Sequence, residues 1–432
     1  MAFVRAGRIT VKFLVLSNLY PPHYLGGYEV NCHRTARALQ TRGHEIHVLT
    51  STYGIENPKA TANEAGITRV LRIHGMFGAP WLGIFQLEKL ERDNNAILRK
   101  TISDFKPDLV YVWNMGGLSK SMLFTLQKIG VPTVFFVSDH WVARCEKADV
   151  WLNWWNQKDP SVPQRILRGV WNLSGRRQQI QQIAPTNPVR HLRFPRIYFC
   201  SRALRDGTAE AGFDVRHGGV IYCPVDIQRF QAVPRTAAQP LKNFLYVGRL
   251  HEDKGVMTAL RAIALVRGQF NGHLNIVGRG EPDYEAKLKS FVAENKLPVT
   301  FSSVSNPDEM PKIYAANDAL LFTSEWPEPF AITPLEAMAS GLPVIATTTG
   351  GSIELFRHKE NALTYEAGNA EQLAERILEL TQNNSLRGKI AVAGHCEVRE
   401  KFSEDKIVSQ IDDYLRETLQ TWRAPGLSDF RS

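Results

Sequence analysis

Nowhere does this 432-residue chain carry an apolar run approaching the roughly 20 residues that a membrane-spanning helix needs. The apolar stretch near its start, Val11-Lys12-Phe13-Leu14-Val15-Leu16, is short, contains a lysine and leads into a turn without a small-residue cleavage pattern. It reads as a first β-strand behind a ten-residue extension. Cysteine is scarce: Cys32, Cys145, Cys200, Cys223 and Cys396 are odd in number, widely spaced and free of any Cys-x-x-Cys pair. Neither a zinc site nor a disulfide framework is expected, and a reducing cytoplasm fits. No Asp-x-Asp pair occurs, so the simplest spacing for two carboxylates to share a divalent cation is missing. Internal repeats and low-complexity tracts are absent too. The best approach to a dinucleotide fingerprint, Val277-Gly278-Arg279-Gly280, has Asp283 where the third glycine belongs, which weakens a nicotinamide-cofactor reading.

What is present is a chain too long for one core, with 44% hydrophobic and 22% charged residues, the balance of an ordinary globular protein of two domains. Its formal charge of +9 is unevenly spread. Residues 1–235 hold 31 Lys/Arg against 17 Asp/Glu, or +14, whereas residues 236–432 hold 21 against 26, or −5. A basic first half is expected to face something anionic.

Short apolar strands alternate with helical stretches through both halves, the signature of βαβ units and parallel sheets. In the first half, strands are expected at Lys12–Ser17, Glu45–Thr50, Leu109–Trp113, Thr133–Val137, Ile197–Ser201 and Gly219–Tyr222, with helices at Tyr28–Arg42 and Leu118–Ile129. Between Trp151 and Pro195 the rhythm stops. That segment opens on Trp151-Leu152-Asn153-Trp154-Trp155, and from Lys158 to Arg205 it has ten Lys/Arg against one acid, Asp159. A second series runs from the strand Asn243–Val247 through the strand His273–Val277 to the helix Ala370–Thr381. The expected organisation is an N-terminal domain over 1–235 with an insert at 151–195, a C-terminal domain over 236–404, and a helix within 405–432 crossing back to the first domain. A linker is expected near Gln231–Gln239. Two doubly wound domains in series imply a ligand cleft at the carboxyl ends of their strands.

Two stretches carry the chemistry. In Glu325-Trp326-Pro327-Glu328-Pro329-Phe330-Ala331-Ile332-Thr333-Pro334-Leu335-Glu336, a Pro-rich loop separates a strand from a helix, with a carboxylate on each side. Glu328 and Glu336 could accept hydrogen bonds from a polyhydroxylated ligand, and the helix N-terminus offers backbone N–H groups to phosphate. Glu336 would sit on an otherwise apolar helix face, where an unpaired carboxylate is costly. In Tyr246-Val247-Gly248-Arg249-Leu250-His251-Glu252-Asp253-Lys254-Gly255, a strand ends at a glycine and a turn carries two cations. The planar fork of Arg249 and the compact charge of Lys254 could stabilise a departing diphosphate.

With Ala337-Met338-Ala339-Ser340-Gly341-Leu342-Pro343-Val344-Ile345-Ala346 behind it, the Glu-x7-Glu element resembles the signature of glycosyltransferase family 4, retaining enzymes of the GT-B fold. The resemblance implies an α/β protein of two Rossmann-like doubly wound domains facing across a cleft. It implies that Glu336 holds the donor ribose, that Glu328 lies by the donor sugar and phosphates, and that Arg249 and Lys254 meet the pyrophosphate. Phe330, Ala331, Ile332 and Thr333 fall within the same donor-binding stretch, and Val304 falls where relatives contact the base. The loop Ser17 to Gly27, with Pro21-Pro22 and Gly26-Gly27, matches the family's Pro-Pro…Gly-Gly loop, where paired glycines permit positive φ and close approach to a ligand. Gly350-Gly351-Ser352-Ile353-Glu354 resembles its Gly-Gly-x-x-Glu. Two departures stand out. Ala331 replaces the usual glycine and would narrow the sugar pocket. In Ser138-Asp139-His140-Trp141, Ser138 takes the place of the family's histidine, and His140 comes two residues later, either as the site imidazole or as a satisfied loop histidine.

The implied reaction is transfer of a hexosyl group from a nucleotide-diphosphate sugar to a glycan, lipid-linked or small-molecule acceptor, with retention. Glu328, Arg249, Lys254 and His140 are the catalytic candidates; no cofactor and no metal are expected. A sugar-nucleotide epimerase of similar fold and a non-catalytic sugar-nucleotide binder are the alternatives. Nucleic acid is not an expected partner, because no recognised binding module accompanies the charge. The tryptophans and arginines of the insert suit peripheral contact with the inner face of an anionic membrane, or a packed subdomain with a solvated basic face.

Overall fold

The computed structural model describes residues 10–55, 64–231, 240–304 and 306–422. The chain divides into two compact units: one takes the described residues of Met1–Phe199, Arg205–Ile221 and Val408–Ser432, the other those of Cys200–Leu204 and Tyr222–Ile407. Most of the expected linker, residues 232–239, lies outside the described residues.

The first unit is built on β1 (Lys12–Leu16), β2 (Glu45–Ser51), β3 (Ile67–Leu71), β4 (Leu109–Val112), β5 (Thr133–Val137), β6 (Ile197–Phe199) and β7 (Gly219–Val220). They form one parallel sheet in the order β3-β2-β1-β4-β5-β6-β7. The interior strands read as unbroken apolar runs, Leu-Val-Tyr-Val and Thr-Val-Phe-Phe-Val, because helices cover both faces. Among the elements that went unread in the sequence are the strand Ile67–Leu71, the 22-residue helix Ile84–Phe105 and the helices Trp141–Ala148 and Arg202–Glu210. The helix Ile84–Phe105 buries Glu88, Glu91, Asn94 and Asn95, so polar letters sit on its inner face and blur the amphipathic period.

Those polar residues are partnered. Glu91 accepts a hydrogen bond from Ser121 Oγ at 2.9 Å; Asn95 donates to Ser121 Oγ at 2.9 Å and accepts from Thr125 Oγ1 at 2.6 Å. Asp149 accepts from the backbone N–H groups of Lys120 (2.6 Å) and Leu152 (2.9 Å), so it caps the helix Val150–Asn156 and ties it to the start of the helix Ser121–Ile129.

The insert is helical rather than irregular: Val150–Asn156, Val162–Leu173 and Arg176–Ile183 follow one another. Its tryptophans correct the expectation of an interfacial belt. Trp151, Trp155 and Trp171 are buried, with ring centroids 5.7 Å apart for Trp151–Trp155 and 5.5 Å for Trp155–Trp171. Trp151 Nε1 donates to Pro185 O at 2.9 Å. Arg168, Arg176 and Arg177 lie over the rings of Trp154, Trp171 and Trp155 at 5.3–5.4 Å, so part of the basic charge seals this small core by cation–π contact. The helix Glu404–Thr421 brings Asp412 against His44 (3.0 Å) and Ser409 Oγ against Arg42 Nη1 (2.8 Å), both within the first unit.

The second unit repeats the plan with β8 (Asn243–Val247), β9 (His273–Val277), β10 (Val299–Ser302), β11 (Ala319–Phe322), β12 (Val344–Thr347) and β13 (Leu363–Tyr365), parallel in the order β10-β9-β8-β11-β12-β13. The strands β8 and β9 match the sequence reading residue for residue; β13 and the helix Asn384–Lys401 were not anticipated. Its core gathers Phe244, Tyr246, Leu260, Ile263, Leu321 and Ile345. In each sheet the strand order reverses beside its first strand, between β1 and β4 and between β8 and β11. In open α/β sheets such a reversal, at the carboxyl ends of the strands, is where ligands bind.

The buried Glu91 yields a pH prediction. Burial, reinforced by the nearby Asp149 charge, pushes its carboxyl up to about 8. A raised folded-state pKa means stability present at low pH and lost as pH rises from the free glutamate value through about 8. Between pH 6 and pH 8 the wild type should lose about 2 kcal/mol more unfolding free energy than Glu91→Gln. Denaturant titrations of both proteins at the two pH values measure it; parallel pH profiles would refute the assignment.

Candidate active site

The strand-order reversal between β8 and β11 brings the two chemistry-bearing stretches together. After β8 the chain turns through Gly248 and Arg249, forms a short 3-10 turn at Glu252–Lys254 and enters the helix Val256–Leu265 at Gly255. After β11 it runs through Thr323, Ser324 and the Pro-rich loop to the helix Thr333–Ala339. Backbone hydrogen bonds lock the two loops: the Asp253 carbonyl accepts from the N–H groups of Glu325 (2.9 Å) and Trp326 (3.0 Å). Thr323 Oγ1 donates to Lys254 O at 2.8 Å, and Thr258 Oγ1 donates to Glu325 Oε1 at 2.6 Å. Gly255 is required twice over, since its φ is +64° and a Cβ there would lie 2.0 Å from Thr323 O.

This lock sets Lys254 Nζ 2.5 Å from Glu328 Oε1, with both side chains about one-sixth exposed (16% and 15%). Ser324 Oγ donates to the same carboxylate oxygen at 2.7 Å. Arg249 stands exposed on the first loop; its carbonyl accepts from Tyr246 OH at 2.9 Å, a phenol that burial holds far above the ordinary tyrosine range and so keeps as a donor. Glu336 lies one turn into the helix Thr333–Ala339, where the buried Tyr314 OH donates to its Oε2 at 2.9 Å. Burial, followed by the Glu336 charge, pushes the Tyr314 hydroxyl well up. The carboxylate that would be costly on an apolar face is thereby partnered. Phe330 and Ala331 are buried, Ile332 and Thr333 half-buried. Val304 is half-buried just beyond β10; Ser305 is outside the described residues.

A third loop supports the arrangement from below. Gly351 N–H donates to Glu328 O at 2.6 Å, and a Cβ on Gly351 would lie 2.0 Å from Pro329 O. Close backbone approach therefore explains the second glycine of Gly350-Gly351. Glu354 closes the motif structurally, accepting from Ala203 N (2.9 Å) and Tyr222 OH (3.1 Å). Ser201 Oγ donates to Pro329 O at 2.6 Å. Gly278 and Gly280 pack against the β8 loop, with Leu250 N donating to Arg279 O at 2.8 Å, so their smallness serves sheet-edge packing rather than a dinucleotide. Ser324, Tyr314, Thr258 and Ser201 were not singled out in the sequence. Their role is to aim other side chains, and nothing in their spacing advertises it.

The first unit places its candidates at the carboxyl ends of its own strands. Gly26 caps the helix Gly27–Thr41, its N–H donating to Glu29 Oε2 at 3.0 Å. The expected positive φ is corrected here: Gly26 is extended at −163°, and Gly27 is not among the left-handed glycines. A Cβ on Gly26 would meet only Glu29 Oε2, at 4.0 Å, so this glycine leaves open space rather than relieving strain. His140 caps the helix Trp141–Ala148, directly after Asp139, which accepts from Asn114 Nδ2 (3.0 Å) and Trp141 N (2.8 Å). Burial raises the carboxyls of both Glu29 and Asp139, and the Asp139 charge adds to the effect on Glu29. Among the described residues no group of three or more His, Cys, Asp or Glu could hold a metal ion, and no helix is long and apolar enough to cross a membrane.

Two parallel α/β units in series, of seven and six strands, with cations and carboxylates gathered at the reversal of the second sheet, have the architecture of a GT-B glycosyltransferase. The chain belongs to the glycosyl transferases group 1: the model of that name matches residues 230–395, and that of Glycosyltransferase Family 4 matches residues 25–229. It is similar to an uncharacterized glycosyltransferase of Methanocaldococcus jannaschii, 24% identical over 409 residues, spanning 93% of this chain and 96% of that one. A GDP-mannose-dependent alpha-(1-6)-phosphatidylinositol monomannoside mannosyltransferase of Mycobacterium tuberculosis is 26% identical over 210 residues, 44% of this chain and 54% of the relative. Among solved structures, Anabaena HepE in complex with UDP shares the fold with a TM-score of 0.67 at 20% identity, covering 94% of this chain and 100% of HepE.

The packing of Gly351 can be tested directly. Gly351→Ala must push the Glu328 loop off its seat and should cost roughly 2–4 kcal/mol of unfolding free energy. Gly207→Ala, in a helix with nothing within 4 Å of the added Cβ, should be neutral or stabilising. Denaturant unfolding of the two variants checks the contrast; equal stability would refute the close approach.

Proposed function

We propose that this glycosyltransferase moves a hexosyl group from a nucleoside-diphosphate sugar to a hydroxyl of a glycan, lipid-linked or small-molecule acceptor, using the second unit for the donor and the first for the acceptor. The observation that carries the reading is the Lys254–Glu328 pair at the strand-order reversal, with Arg249 on the same loop as Lys254 and Glu336 in the helix that follows the Glu328 loop. The nature of two relatives agrees with it: HepE has been solved with UDP, with UDP and glucose and with UDP-glucose, and the mycobacterial relative is a mannosyltransferase dependent on GDP-mannose.

In the reaction the bond between the anomeric carbon and the diphosphate oxygen breaks and its electron pair leaves with the nucleoside diphosphate. The acceptor oxygen bonds to the anomeric carbon, and its proton passes to the leaving phosphate on the same face, which retains configuration. Arg249 offers a planar fork and Lys254 a point charge to the oxygens where negative charge grows, without calling on a metal. Glu328 and Ser324 hold Lys254 in position before the donor arrives. Glu336, oriented by Tyr314, accepts from ribose hydroxyls; Phe330, Ala331, Ile332 and Thr333 line the donor sugar, with the Ala331 methyl narrowing that pocket, and Val304 meets the base. By the family resemblance Gly26 and Gly27 leave room for the ligand, and His140 is the candidate for the role of the family histidine.

Incubation with UDP-, GDP- and ADP-sugars should release nucleoside diphosphate with one of them. Arg249→Ala and Lys254→Ala should each lower that rate by roughly 100- to 1,000-fold with the fold intact by circular dichroism. Turnover near wild type in both variants would overturn the donor-site assignment. Conversion of the sugar without diphosphate release would instead establish an epimerase, and tight binding without any conversion a non-catalytic binder.

A further inference from the structure

The helix Val162–Leu173 has two apolar faces. Trp171 is its fully buried residue and faces the tryptophan core. Val162, Ile166, Val170 and Leu173 recur at the spacing of one helical stripe, yet they are 66%, 63%, 54% and 92% exposed. Four adjacent large aliphatic side chains so open to water form a contiguous patch of the kind that marks an interaction site, not the scattered exposure of an ordinary surface.

Charge decides what covers it. From Lys158 to Arg177 the chain holds five Lys/Arg and one acid, Asp159. Arg168, Arg176 and Arg177 lie over tryptophan rings, and Arg176 also pairs with Glu88 at 3.0 Å, which leaves Lys158 and Arg165, both exposed beside the start of this helix, as the cations that border the stripe. An apolar stripe with a cationic border is the pattern of a helix lying in the plane of a bilayer, its aliphatic side chains among the acyl chains and its cations among anionic headgroups. A protein partner would have to supply both an apolar groove and a strongly acidic rim, whereas an anionic bilayer offers both at once. We propose that the outward face of Val162–Leu173 docks this protein on an anionic lipid surface. The tryptophans support this face from within and do not enter the membrane. The inference stands independently of the transfer reaction, because none of these residues belongs to the donor site.

Co-sedimentation of the full chain with phosphatidylcholine vesicles, with and without phosphatidylglycerol, tests it. The wild type should pellet with the anionic vesicles and be released by high salt, and should stay in solution with phosphatidylcholine alone. Ile166→Asp combined with Val170→Asp should weaken that binding by about tenfold or more while leaving circular dichroism and diphosphate release unchanged. Arg165→Glu should weaken it and flatten the salt dependence. Recovery of the wild type in the supernatant with both vesicles would overturn the proposal, as would undiminished binding by the double variant. Concentration-dependent self-association abolished by the same pair, without vesicle binding, would assign the face to a second copy instead.

Discussion

One carbonyl oxygen, that of Asp253, organises the second unit. By accepting from two successive N–H groups of the loop after β11, it fixes that loop against the one after β8 at the point where the sheet order reverses. Backbone atoms carry this joint, so side-chain entropy does not loosen it. The contact needs a residue without a Cβ at Gly255, and it leaves Lys254 no wide choice of partners: its ammonium group arrives at Glu328. The loop after β12 completes the seat, with Thr347 Oγ1 donating to Ser324 O at 2.7 Å and Gly351 to Glu328 O. A salt bridge this sheltered would be a poor source of stability if its ends had to be ordered at the same time. Here the backbone has already ordered them, which is the preorganisation that electrostatic stabilisation of a leaving group demands.

The first unit solves a different problem. Its long helix Ile84–Phe105 presents a polar inner face, and the cost of burying Glu91, Asn95 and Asp149 is offset by hydrogen bonds from Ser121, Thr125 and two backbone amides. The same unit spends arginines as lids on tryptophan rings. Charge that looks from composition like one basic surface is thus divided between internal packing and solvent, and only the second share can meet an external anion.

Much of the fold was legible because parallel strands with both faces covered read as apolar runs: β5, β8 and β9 coincide with the expected segments. The strand Ile67–Leu71 was missed since Arg69 interrupts it; in the structure that arginine is buried against the carbonyl of Tyr20 at 2.9 Å. The amphipathic helix in the insert escaped notice because Pro163 and Gly169 read as breakers within it, although its apolar residues recur at helical spacing. Of the donor-site candidates, the structure brings Lys254 and Glu328 into contact and gathers Arg249 and Glu336 on the same strand ends. The residues that aim them, Ser324 and Tyr314, could not be read, since a serine beside a strand and a tyrosine in a short helix are unremarkable until the sheet folds them inward.

The first unit is assembled from both ends of the chain, since the segment from Val408 onward packs with residues as early as Arg42 and His44. The second unit is drawn almost wholly from the single stretch Tyr222–Ile407. During synthesis, therefore, the second unit has nearly all of its sequence before the first has its last helix, although the first begins emerging earlier. Until the segment carrying Asp412 has been translated, the side of His44 that receives it stands open to water. Order of emergence and order of completion are reversed in this chain, so a stalled or truncated product would expose the interior of the unit that was made first.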